Sequence, residues 1–156
     1  MIKVLLVGGM ALLMTFAVLG NVTMPDLGLG AVQTTLSMET TLRHPGAIWR
    51  AITNPALVHV VFGGIILVEA SAAVLCWIGA ARMFSARKNP QAFESAKSIA
   101  VLGLGVVAAL YFIGWLVFAN EWFDMWQSQK LNVLQDAFRI FAAAMLIALV
   151  VTSKDA

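Results

Sequence analysis

Charged residues are scarce in this chain. It carries 10 lysines and arginines and 8 acids in 156 residues, 12% in all, against roughly 25% in a soluble domain. That excludes an ordinary solvated surface. Cysteine occurs once, at Cys76, so no internal disulfide can form and the redox compartment cannot be read from it. Two histidines without a Cys/His cluster leave no recognisable zinc site. The net charge of +2 is small and its basic residues are dispersed, which argues against a nucleic-acid surface. A nucleophile–base set and a nucleotide-binding loop are also missing, so no reaction and no catalytic residue is assigned.

Apolar residues, by contrast, make up 61% of the chain, and they fall into four blocks. A membrane helix needs roughly 20 consecutive apolar residues, and the blocks predict spans at about 4–22, 56–81, 98–119 and 133–152. The expected fold class is all-α: a single transmembrane four-helix bundle over 1–156, with short interfacial helices forming an outer, periplasmic cap. Block one follows Lys3 and competes with a signal-peptide reading. Its length, and the lack of a small-x-small cleavage site followed by a polar stretch, favour a retained helix. Pro25-Asp26 ends it. Asn54-Pro55 and Asn89-Pro90 each read as a cap followed by proline at the first helical position.

Lys/Arg distribution sets orientation. The link 82–97 holds Arg82, Arg87, Lys88 and Lys97, whereas 120–136 holds only Lys130. Both termini and the 82–97 loop are therefore expected in the cytoplasm of a bacterial inner membrane, with 24–55 and 120–136 outside. Short connections make neighbouring helices antiparallel. Small residues four apart (Gly105 with Ala109, Ala144 with Ala148, Ala72 with Cys76) suggest close packing.

Within the second block stands Glu69, about 14 residues in from Pro55, roughly 21 Å along the helix and near mid-depth. A carboxylate there costs on the order of 3 kcal/mol against lipid, so it should face other helices. Phe62, Ile65, Ile66, Ala72, Ala73 and Cys76 share its face. Two roles stay open: a proton or cation handle, or a structural tie to a neighbouring helix. Arg139 starts a turn or two below the outer surface and should reach toward Asp136, Glu121 or Asp124, away from Glu69. His59 lies one turn into block two. With His44 in the outer segment, a bis-histidine haem is not expected, and His59 reads as a polar cap on the bundle mouth.

The outer segments contribute Glu39, Trp49 and Arg50 from one side and Glu121, Trp122, Asp124 and Trp126 from the other. If 120–128 is helical, Trp122 and Trp126 share a face. They read either as an interfacial belt or as the rim of a lipid or quinone site. The acids should pair with Arg43, Arg50 or Arg139 and close the cap.

These words in combination resemble a known family. They are Leu36-Ser37-Met38-Glu39-Thr40-Thr41, Trp49-Arg50-Ala51-Ile52, Glu69, Gly79-Ala80, Ala96-Lys97, Glu121-Trp122-Phe123, Met125-Trp126-Gln127-Ser128 and Ala137-Phe138-Arg139. The chain resembles the bacterial "predicted small integral membrane protein" family over nearly its whole length. Glu39 stands where the family pattern commonly has aspartate, which keeps the carboxylate. The resemblance implies four spans in a bacterial inner membrane and carries no activity with it.

Three function classes follow. The first is a non-enzymatic accessory or assembly subunit packed against a larger, respiratory-type complex. The second is a small oligomeric transporter, channel or proton-coupled carrier using Glu69. The third is a lipid or quinone binder with its site below the Trp122/Trp126 rim. No cofactor is expected beyond a bound lipid or quinone. The expected partners are membrane lipid and either another membrane protein or a second copy of the chain.

Overall fold

The chain folds into helices whose starts are written in its asparagine–proline pairs. In this computed structural model, which describes residues 1–154, Asn54 accepts a hydrogen bond from the Ala56 amide at 2.9 Å, and Asn89 one from the Ala92 amide at 3.1 Å. Each cap satisfies an amide that the first helical turn leaves without a partner. The elements are α1 (Ile2–Thr23), α2 (Pro25–Ser37), α3 (Pro55–Ala86), α4 (Pro90–Ala109) and α5 (Leu134–Thr152). From Leu110 to Trp122 the α4 rod continues without a break in wider π-helical turns. Single 3₁₀ turns occupy Ile48–Arg50 and Met125–Gln127.

Four rods are long and apolar enough to cross a membrane: Ile2–Thr23, Pro55–Ala86, Pro90–Trp122 and Leu134–Thr152. The protein is thus an all-helical, multi-pass integral membrane protein. Two rods overrun the apolar blocks. α3 and α4 absorb most of 82–97, so the link between them shrinks to residues 87–89. Charged residues there are helical because the caps and the prolines at first helical positions, rather than hydropathy, decide where these helices begin.

Both termini lie at one end of the bundle. The Lys3 ammonium donates to the Ser153 carbonyl at 2.6 Å, and Lys97 donates to the same oxygen at 3.2 Å. Two cations at the carboxyl end of α5 also suit its helix dipole. Near this end α3 and α4 approach very closely. A Cβ on Gly79 would sit 2.6 Å from the Ala100 Cα, and one on Gly103 would sit 2.8 Å from the Cys76 Sγ. Ala72 and Cys76 lie on this seam, fully buried. Gly105, expected to form a close-packing face together with Ala109, instead faces outward with open space around it. The spacing rule finds small residues without telling which side of the helix meets a neighbour.

The opposite end is capped. α1 stops at Thr23, and α2 folds back over α3, where a Cβ on Gly28 would meet the Phe62 ring at 2.6 Å. Val32, Leu36 and Met38 from the α2 region, Val58 and Phe62 from α3, and Phe123 form a second apolar core distinct from the main one.

Candidate functional site: a carboxylate chamber and an apolar groove

Glu69 faces inward, 5% exposed, on a stripe with Phe62, Ala72, Ala73 and Cys76, all buried. Its Oε2 accepts a hydrogen bond from the Asn21 side-chain amide at 2.8 Å. Asn21 belongs to the last turn of α1, so α1 ends close to the level of Glu69. The α3 residues before Glu69 extend past the end of α1, and α2 covers them.

A chamber of about 250 Å³ opens here, lined by Asn21, Gly28, Phe62, Glu69, Tyr111, Trp115, Asp136 and Ile140 among others. Asp136 is the one member that sequence depth misplaced: a second carboxylate lines the same space as Glu69. Depth counted from Pro55 fails because α1 ends and α5 begins beside the middle of α3, not level with its first residue. Arg139 does turn away from Glu69, as its lean toward its own N-terminus requires. It pairs with Asp136 at 3.1 Å, with both side chains largely exposed.

Beside the chamber runs an apolar groove of about 290 Å³. Val32, Thr35 and Leu36 of α2 form one wall, Val61 and Ile65 of α3 another, and Leu110, Gly114, Trp115, Phe118 and Ala119 of the π-helical segment the third. The π turns matter to this wall. Its residues recur at steps of four and five, the repeat that i→i+5 bonding produces, as in the Phe123 amide bond to the Phe118 carbonyl at 3.0 Å. Val32, Ile65 and Trp115 line both spaces, so groove and chamber meet across these three side chains.

Over this region the cap is latched by polar contacts. Arg50 forms an ion pair with Asp124 at 2.8 Å, 16% and 14% exposed respectively. Its guanidinium also lies 5.4 Å from the Trp122 ring, and Trp49 meets Trp122 edge-on at 5.8 Å. The Thr40 and Ser128 hydroxyls share a hydrogen bond of 2.7 Å, and the Leu42 amide donates to Gln127 Oε1 at 3.0 Å. Asp124 takes a left-handed backbone, φ 54°, which is uncommon for a non-glycine residue and ends the helix after Trp122. Trp122 and Trp126 therefore do not share a helical face, and neither lines the groove. Its aromatic lining is Trp115, Phe118 and Phe123 instead.

His59 faces out of the bundle. Its Nδ1 lies 2.7 Å from the Pro55 carbonyl of its own helix, so it does not close the bundle mouth as expected. Glu39 is exposed and lines a shallow polar surface hollow with Thr34, Thr40 and Lys130. Among the described residues no group of three or more His, Cys, Asp or Glu side chains is placed to hold a metal.

Sequence reasoning had no view of Asn21, Tyr111 or Trp115. Asn21 carried a usable signal: it is an amide inside an apolar block, one residue before its end, where a polar group needs a partner. A family model described as "Predicted small integral membrane protein (DUF2165)" matches residues 1–154. The chain belongs to that family. No curated protein and no solved structure matches it. Family membership agrees with the four-span architecture above and brings no substrate or partner with it.

Proposed function

We propose that this protein is a non-catalytic membrane protein that holds an amphiphilic small molecule, a lipid- or quinone-like compound. The apolar body lies in the groove and the polar head enters the Glu69–Asn21 chamber. One observation carries this reading: an apolar groove walled by three helices meets, at Val32, Ile65 and Trp115, a chamber whose polar groups are Glu69, Asn21, Tyr111 and Asp136. Ligand sites are concave and mostly apolar, with few convergent polar groups, and occupy about 300–1,000 Å³. Groove and chamber each fall just short of that range, and joined they lie within it. The Lys/Arg bias of the Arg82, Arg87, Lys88 and Lys97 region supports a cytoplasmic terminus end, with the capped end in the periplasm of a bacterial inner membrane.

The carrier reading needs a route from Glu69 to both faces. Toward the termini the interior is filled by Val7, Met14, Cys76, Met83, Leu104, Val107 and Val151, each under 2% exposed. That packing speaks for a site loaded from one side. An accessory-subunit role would turn exposed apolar side chains toward a larger complex. The exposed apolar residues here are those any lipid-facing surface carries, so nothing in the geometry favours that role over the binder.

Gly114 gives a direct test. A Cβ there meets only Leu110 Cδ1, at 3.8 Å, so a side chain can grow into the groove without striking backbone. Purified gently from its own membrane, the native protein should retain a hydrophobic small molecule by native mass spectrometry. Gly114→Phe should lose it, and Gly105→Phe, on an open outward face, should keep it. Equal retention by all three proteins, or by none, removes the reading.

A further inference from the structure

The chamber's own chemistry narrows what its ligand's head can be. Asn21 holds only one Glu69 oxygen, Oε2. Among the described residues Oε1 accepts no hydrogen bond and is not sealed in the interior, so it faces the chamber as an open acceptor. The lining holds a second carboxylate, Asp136, and contains no lysine, arginine or histidine. Phe62, Tyr111 and Trp115 supply aromatic rings around the same space, and ring faces attract cations by about 0.5–2 kcal/mol each. Arg139, the nearest cation on α5, is held outside by Asp136.

We infer that the chamber selects an amphiphile with a cationic head, an alkylammonium or similarly charged organic amine, with Glu69 as its counter-ion. This rests on the amphiphile-binding reading and adds the charge of the head to it. An anionic head would meet the Glu69 carboxylate at close range. A neutral head brings no counter-charge, so the buried carboxyl would sit beside it as the neutral acid and gain no ion pairing. A cation pairs with the ionised carboxylate, uses the open Oε1 and sits against aromatic faces. Asp136, exposed at the mouth, keeps the Arg139 charge paired there.

The test compares two probes of equal chain length, decylammonium and decanol, titrated into the protein in phosphatidylcholine nanodiscs, with empty nanodiscs subtracted. Decylammonium should bind at least about tenfold more tightly than decanol, a difference of about 1.4 kcal/mol. Glu69→Gln, which keeps an acceptor for Asn21, should abolish that preference. Asp136→Asn leaves Arg139 as an unpaired cation at the mouth, which should reduce the preference only about threefold, and more at low salt than at high. Equal affinity for the two probes, or a preference that survives Glu69→Gln, overturns the cationic assignment. If decanol binding is nonetheless lost in Gly114→Phe, the amphiphile site stands without it. If neither probe binds above the empty-nanodisc signal, both proposals fall together.

Discussion

The two ends of this bundle are built on opposite principles. At the terminus end, glycine and alanine let α3 and α4 come together until backbone touches backbone, and large apolar side chains fill what remains. At the capped end a helix laid across α3, a widened π-helical wall and bulky aromatics hold the rods apart. Close packing leaves no room for a guest and transmits any change in volume. Spaced helices bridged by large rings leave grooves. The apolar groove and the carboxylate chamber belong to the second design, and the buried carboxylate stands where the two meet. The lesson is that a small membrane bundle can be rigid at one end and receptive at the other without a second domain.

Breaking the tight end should have the largest effect. Gly103→Leu puts a side chain where even a Cβ would lie 2.9 Å from the Cys76 amide nitrogen. It should cost about 3 kcal/mol or more, read as a lower midpoint of thermal unfolding in detergent. Gly105→Leu, two residues on and facing open space, should shift stability by no more than about 0.5 kcal/mol. Equal losses would mean that the seam is not where the two helices meet.

At the junction, Asn21→Ala removes the donor to Glu69. It should destabilise by about 1–2 kcal/mol, because the carboxylate loses its one side-chain hydrogen bond among the described residues. A double-mutant cycle with Glu69→Leu, which removes the acceptor, isolates the pair, and interhelical hydrogen bonds in membranes average about 0.6 kcal/mol by that measure. In the cap, Arg50→Ala breaks the ion pair with Asp124 and exposes the Trp122 face. The expected loss is about 1 kcal/mol, seen as faster amide exchange over residues 38–52 with little change in the spans. The smallest effect belongs to His59→Ala. The side chain is exposed and bonded only within its own helix, so unfolding and ligand retention should match the unsubstituted protein.

Much of the architecture was legible before any coordinates. Four apolar blocks, two Asn-Pro starts, the inward Glu69 stripe and the lean of Arg139 follow from hydropathy, capping and helical geometry, which are local rules. The Arg50–Asp124 pair was also foreseeable as one of a few acid–base matches across the cap. The candidate site was half legible. Glu69 stands out in any reading, but its surroundings come from four other elements. Asn21, Tyr111 and Asp136 lie 48, 42 and 67 positions away in the chain, and no periodicity connects them. Three expectations failed for one reason: Gly105 as a packing residue, His59 as a mouth cap and the Trp122/Trp126 face each required knowing which way a helix turns or where it stops.

Taken alone, the order of residues determined that lipid surrounds this protein, that four rods cross it and that one acid must be sheltered. Those outcomes depend on solvent preference and on hydrogen bonds between near neighbours, both of which are properties of short segments. Only the tertiary arrangement decided that α1 ends beside the middle of α3, that α2 folds back to cover the gap, and that Leu110–Trp122 widens into π turns. Those choices place Asn21 against Glu69 and open a groove next to the charge. They depend on how helix lengths and surfaces fit one another, which is a property of the assembled bundle.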